Sequence, residues 1–227
     1  MTITINGQLS LCLLADKLMD IEGLSIVQVN TDGITVKMPR DKHDEYINVC
    51  DAWQKQVGLQ LEYAEYSKMI IKDVNNYSAV YTNGKVKRKG AYQYEDLGWH
   101  QDQGGLVIPK AAEAAMLQGI PLDVYIKGHK NKYDFMLRVK VPRSSKLVMV
   151  MDDGAEVVQQ NMCRFYACNA GGALVKVMPP LKEEAEPRRI GVGEGYGMWT
   201  CNDVNDFTWK DVDYKYYIDA AAKLVIQ

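Results

Sequence analysis

The sequence predicts an α+β chain: an antiparallel sheet with helices packed on one face, followed by a mixed, partly helical second part. Three observations predict it. Helical periodicity gives way to β-rich runs within the first 92 residues. Asn83-Gly84, a strong short hairpin signal, lies between two of those runs. The order helix, hairpin, helix and then several strands is that of a sheet covered on one side.

Taken in order, Leu9, Cys12, Leu13, Leu14, Leu18 and Met19 fall mostly on one broad face of a helix over residues 8–21, which Gly23 stops. Residues 25–36 are β-rich, with Asn30-Thr31-Asp32-Gly33 in the middle, so two strands joined at a turn are expected. Asp41 can cap a second helix over about 42–57, with Tyr46, Val49, Cys50, Trp53 and Val57 on one side and Gly58 at its end. Leu59, Leu61 and Tyr63 alternate with polar residues, as on a half-buried strand. Strand-like runs follow at 69–72, 77–81 and 85–92. Beyond Tyr92 the character changes, which places a domain boundary near residue 93 and gives domains 1–92 and 93–227. A polar loop over 93–105 precedes a short Ala-rich helix over 109–118, with Pro109 in its first turn and Gly119 after its end. Residues 127–141 are basic and mixed. Gly171-Gly172, Pro179-Pro180 and a charged connector over 182–189 read as irregular, and an amphipathic helix over 214–226 ends the chain.

A hydrophobic content of 47% over 227 residues can bury a substantial core without staples. The formal charge of -2 means that any nucleic-acid surface has to be a local patch. Cys12, Cys50, Cys163, Cys168 and Cys201 are scattered and contain no C-x-x-C pair, which points to a reducing compartment. His43, His100 and His129 are not spaced as zinc ligands. With no apolar run long enough to span a bilayer, the expected location is the cytoplasm, with no membrane partner.

A carboxylate on a hairpin turn is exposed while paired strands fix its backbone, a suitable mount for the hard oxygen ligands that Mg²⁺ prefers. Read alone, Asn30-Thr31-Asp32-Gly33 is better explained as an ordinary β-turn. In Lys85, Lys87 and Lys89, period-two alternation aligns three ammonium groups at about 6.6–7 Å intervals, a row suited to a sugar-phosphate backbone. A lysine row on an edge strand also guards against sheet-to-sheet aggregation.

Residues 26–36, Ile-Val-Gln-Val-Asn-Thr-Asp-Gly-Ile-Thr-Val, resemble the third polymerase motif of family B DNA polymerases of the phage type. Residues 6–16 are similar to the palm helix before that motif. Residues 63–92, with Asp73-Val-Asn-Asn-Tyr77 and Gly84-Lys-Val-Lys-Arg-Lys-Gly90, resemble the primer-gripping strands after it, and residues 161–226 look like the thumb ending. The resemblance implies half of a palm over 1–92 and a thumb over 93–227. It implies that Asp32 is the catalytic, magnesium-binding carboxylate of a two-metal site, with Asn30 and Thr31 in support. Asn30 stands where the family has a first Asp, and Gly33 where it usually has Ser.

It further implies that Asn75, Tyr77, Lys85, Lys87, Lys89 and Gly90 bind DNA. Val74 and Asn75 replace the two lysines of the family's Lys-Lys-x-Tyr motif. Glu62 falls where family palms carry an acid near the metals, an exposed strand glutamate being the plain alternative. Lys127, Lys130 and Lys132 form a second basic cluster, read either as a duplex contact or as a solvated loop. Trp199, Phe207, Trp209, Tyr214, Tyr216 and Tyr217 read as thumb core. The implied partners are primer-template DNA, a dNTP, and a polypeptide carrying the exonuclease, the rest of the palm and the fingers. Leu9, Leu13 and Ile26 are candidates for the surface facing that polypeptide. The expected function is that of a C-terminal polymerase subunit or fragment; the alternative is a non-catalytic primer-template-binding or interaction subunit of a replication complex.

Overall fold

Helix α1 (Thr2–Met19) presents Leu14 and Leu18, with Ile21 just beyond it, to Cys50 and Trp53 of helix α2 (His43–Val57), in a computed structural model describing residues 2–181 and 185–226. The Trp53 indole N–H donates to the Ser10 carbonyl at 2.8 Å, so the largest side chain of this cluster also meets its polar need. Gly58 closes α2 in the left-handed region, its N–H reaching the Gln54 carbonyl. The cap expected of Asp41 is not formed. Lys42 holds the cap position without a side-chain bond, because Asp41 lies inside a 3-10 turn, Arg40–Lys42, that precedes the helix.

Strands β1 (Ser25–Val29) and β2 (Ile34–Lys37) pair antiparallel, from Val29 opposite Ile34 to Ser25 opposite Lys37, with an irregularity between Ile26 and Gln28. The strand expected around Leu59, Leu61 and Tyr63 is absent. The Leu61 N–H instead donates to the Gln54 side-chain oxygen at 2.7 Å, and Leu61 packs on the α1–α2 cluster, so the backbone is drawn to a helix rather than to a ladder. Strands β3 (Tyr66–Asp73), β4 (Asn76–Tyr81) and β5 (Val86–Lys89) form a three-stranded sheet in that order. The run expected to stay extended over 85–92 ends at Lys89, because Gly90 takes a φ of 63° and starts a 3-10 turn, Gly90–Tyr92.

The chain divides into two units, Met1–Asn75 with Ala79–Lys87, and Asn76–Ser78 with Arg88–Gln227; the division runs through β4 and β5. In the second unit, helices α3 (Val107–Gln118), α4 (Leu122–Gly128) and α5 (Tyr214–Ala222) accompany a sheet built on one long strand. That strand is β9 (Met162–Met178). β6 (Leu137–Lys140) and β11 (Met198–Thr200) pair antiparallel with its first half. β7 (Lys146–Val150) and β10 (Arg188–Gly191) pair with its second half, and β8 (Glu156–Gln159) adds to β7.

Neither α4 nor the continuity of β9 was expected. Gly171-Gly172 lies inside the strand because two backbones press against it there. A Cβ on Gly171 would sit 2.4 Å from the Met198 carbonyl oxygen, and one on Gly172 2.4 Å from that of Val150. The core of this unit collects Phe135, Leu147, Leu174, Met198 and Tyr217. The Tyr217 hydroxyl donates to the Phe135 carbonyl at 2.7 Å and accepts from the Ala167 N–H at 3.1 Å. Of the charged connector expected over 182–189, residues 182–184 lie outside the described residues and Arg188 and Arg189 belong to β10. Among the described residues, no helix is long and apolar enough to cross a membrane.

The molecule is thus α+β with antiparallel sheets. Because the clash at Gly171 is with backbone, Gly171→Ala should lower stability by about 1–3 kcal/mol. Urea unfolding checks this; Gly191→Ala, where nothing lies within 4 Å of the added Cβ, is the control and should leave the midpoint nearly unchanged.

Candidate nucleic-acid interface and carboxylate turn

Alternation along β1 turns Val27 and Val29 to solvent and Gln28 inward, where it is 6% exposed. The Gln28 amide nitrogen donates to the Asn30 side-chain oxygen at 2.8 Å and to the Val74 carbonyl at 3.1 Å. The carboxylate turn is therefore tied, within the first unit, to the turn between β3 and β4. That second turn is itself closed by the Asn75 N–H donating to the Asp73 carboxylate at 2.8 Å. The first turn closes through the Asn30 N–H on the Gly33 carbonyl at 2.8 Å. Thr31 and Asp32 protrude from it, both exposed.

A magnesium site can draw one hard oxygen ligand from this turn, the free Asp32 carboxylate. The Asn30 oxygen already accepts from Gln28, so its side chain braces the turn more than it offers a ligand. Among the described residues, no three His, Cys, Asp or Glu side chains cluster as a ready metal set. The turn by itself offers a metal one acidic ligand, and the further ligands that Mg²⁺ needs are not gathered around it among the described residues. Glu62 is exposed on the irregular segment before β3.

On β5 the faces separate as expected: Lys87 and Lys89 are exposed, as is Lys85 just before the strand, while Val86 and Arg88 turn inward. In the second unit, the Lys89 ammonium lies 5.9 Å from the centre of the Tyr77 ring, within cation–π range, and Tyr77 itself is buried. The Ala91 N–H donates to the Asn76 side chain at 2.7 Å, which fixes the turn that starts at Gly90.

Arg88 was missed by reading charge alone. Its Nε and one terminal nitrogen donate to both oxygens of Glu113 at 2.6 and 2.8 Å, and its other terminal nitrogen reaches Glu95 at 2.6 Å. The Tyr94 hydroxyl donates to Glu113 at 2.7 Å, and the guanidinium stacks 4.3 Å from the Tyr94 ring centre. Hydrogen bonding to Glu113 raises the Arg88 pKa further, so this charge is permanent and internally neutralised. Burial and the Glu113 hydrogen bond together push the Tyr94 phenol up. The spacing of Arg88 between Lys87 and Lys89 signals the opposite face; the partner on α3 is invisible to local sequence.

A second buried acid, Asp134, binds Lys110 at 2.7 Å and His129 at 2.6 Å. Lys127 and Lys130 are exposed and Lys132 half-buried, with Lys127 only loosely paired to Asp123 at 4.0 Å. Of the aromatic tail, Phe207 and Tyr217 are buried core while Trp199 is 41% exposed. Among the partner-surface candidates, Leu9 is exposed, whereas Leu13 packs on the α1–α2 cluster and Ile26 is half-buried. The five cysteines are free thiols, four of them buried. Neither a family model nor a curated protein matches the chain.

Removing one partner of a buried ion pair leaves an uncompensated charge, so Glu113→Ala should cost about 3–5 kcal/mol. The double variant R88M/E113L removes both charges and should recover more than half of that loss in the same urea titration.

Proposed function

We propose that the chain is the C-terminal palm-and-thumb portion of a phage-type family B DNA-directed DNA polymerase, its palm part over 1–92 and its thumb over 93–227. What carries the reading is the Gln28 side chain. It braces the Asp32 turn against the Val74–Asn75 turn, so the two segments that resemble the metal-binding and primer-gripping motifs are neighbours. The exposed lysines of the β5 edge support the same reading.

In this role Asp32 holds magnesium, Asn30 and Thr31 shape the turn, and Asn75, Lys85, Lys87, Lys89 and Gly90 follow the primer-template backbone, while the buried Tyr77 ring supports the Lys89 ammonium from below. Magnesium, when bound, neutralises charge on the phosphates of the incoming dNTP. The reaction joins the primer 3′ hydroxyl oxygen to the α-phosphorus and releases pyrophosphate. Two-metal chemistry needs carboxylates on both ions and a cradle for the triphosphate. A partner polypeptide carrying the exonuclease, the rest of the palm and the fingers supplies them in this proposal, and the working site is cytoplasmic. The second reading, a primer-template-binding subunit without catalysis, is favoured by the composition of the turn, whose one carboxylate is Asp32 and whose Asn30 amide oxygen is already engaged by Gln28.

Primer extension by the chain combined with such a partner separates the two. Asp32→Ala should reduce extension by at least about a hundredfold while DNA binding persists; unchanged extension removes Asp32 from catalysis and leaves the binding subunit. Independently, K87A/K89A should flatten the dependence of log K on log salt by about 1.8, or 0.9 for each phosphate left without its lysine. A slope equal to that of the parent protein rejects the lysine strand as a phosphate tracker.

A further inference from the structure

In the second unit, Arg138 on β6 and Arg164 on β9 are directly opposite each other in an antiparallel pair, and both are exposed. Cross-strand partners share a face, and like charges placed so are destabilising. Compensation is slight. Asp102 approaches the Arg138 Nε only to 3.8 Å while also accepting from the Gly104 N–H at 3.0 Å, and no carboxylate pairs with Arg164 among the described residues. Arg138 and Arg164 line an open cleft of about 210 Å³ together with Trp99, Gln101, Asp102, Gln103 and Gly104.

Trp99 is 91% exposed. This is not the exposure of a loose loop. The Gly98 N–H donates to the Gln101 side-chain oxygen at 2.6 Å, and the Gln101 N–H returns to the Gly98 carbonyl at 3.0 Å. The Gln101 amide reaches Gln93 at 3.0 Å, and the Gly105 N–H docks on the Met136 carbonyl at 2.7 Å, next to β6. A braced loop thus holds an indole in water beside two arginines that repel one another.

We infer that this cleft binds one unpaired nucleotide of a nucleic-acid strand, its base stacked on Trp99 and its phosphate held between Arg138 and Arg164. An aromatic face supplies sequence-tolerant stacking, and a basic groove tracks the backbone. Arginine forks match phosphate oxygens, and an anion between them relieves their repulsion. The Gln103 amide lining the cleft carries a donor and an acceptor for a base edge. The inference rests on this cluster alone and does not use the role proposed for Asp32.

Fluorescence anisotropy of labelled oligo-dT and oligo-rU on the intact chain tests it, with duplex DNA and a phosphotyrosyl peptide as competitors. Trp99→Ala should weaken binding of one or both oligomers by about tenfold, Trp99→Phe should retain most of it, and duplex binding should change little. R138A/R164A should flatten the single-strand salt slope by about 0.7, the value for one phosphate no longer neutralised. Without ligand, Arg164→Ala should melt no lower than the parent, because it removes a repulsion. Oligomer affinities untouched by Trp99→Ala, equal losses for duplex and single strand, or competition by the peptide as strong as by oligo-dT each overturn the inference. Loss of extension on Asp32→Ala with the Trp99 variants unaffected separates its failure from that of the polymerase reading.

Discussion

The ion pair between Arg88 and Glu113 is the constraint on which the basic strand depends. A buried carboxylate is tolerated only when it is paired and hydrogen-bonded, and Glu113 meets that condition with two guanidinium contacts and a phenol. Arg88 can make those contacts from one face of β5 only. Since strand faces alternate, its inward position turns Lys87 and Lys89 outward. A slip by one residue would bury both lysines and strip Glu113 of its partner, so one pair fixes both the register and the polarity of the strand.

Gln28 does for the carboxylate turn what Arg88 does for the strand, at a cost. Its side-chain oxygen is buried without a hydrogen-bond partner among the described residues. Flipping the amide does not help, because the oxygen would then face the Asn30 and Val74 oxygens. The orientation is set by the Val74 carbonyl, a main-chain acceptor that cannot rotate away. An unsatisfied buried acceptor costs about 1–3 kcal/mol, and the return is a fixed relation between two turns. The same contact occupies the Asn30 amide oxygen and fixes the turn from which Asp32, its one acid, stands exposed.

These devices were unevenly legible. The two early helices, the hairpin around Asp32 and the alternation of Lys85, Lys87 and Lys89 were readable because each follows from local periodicity or turn chemistry. The irregular path of residues 59–65 was not, since a Gln54 side chain claims the Leu61 N–H and competes with strand pairing. β9 was hidden by its own glycines, which signal a turn in isolation but in the fold admit the backbones of Met198 and Val150. The partner of Arg88 lies on α3, 25 residues away, and no local pattern announces it. Trp99 sat in a stretch whose polar composition marked it only as a loop.

A net charge of -2 says little about where this molecule attracts anions, because its cations fall into two populations. Arg88 and Lys110 are held by buried acids, so their fields are largely cancelled at short range. Lys87 and Lys89, and Arg138 with Arg164, stand exposed with little or no opposing charge among the described residues. Local unpaired charge, not the total, sets the potential that a phosphate meets within a Debye length of about 8–10 Å. Arg138 and Arg164 are the sharper case. Lysines spaced along one strand can spread apart, whereas two arginines registered across a ladder have their backbones fixed side by side. A fold gains nothing in stability from that arrangement, and the most direct physical reason to keep it is an anion that belongs between them.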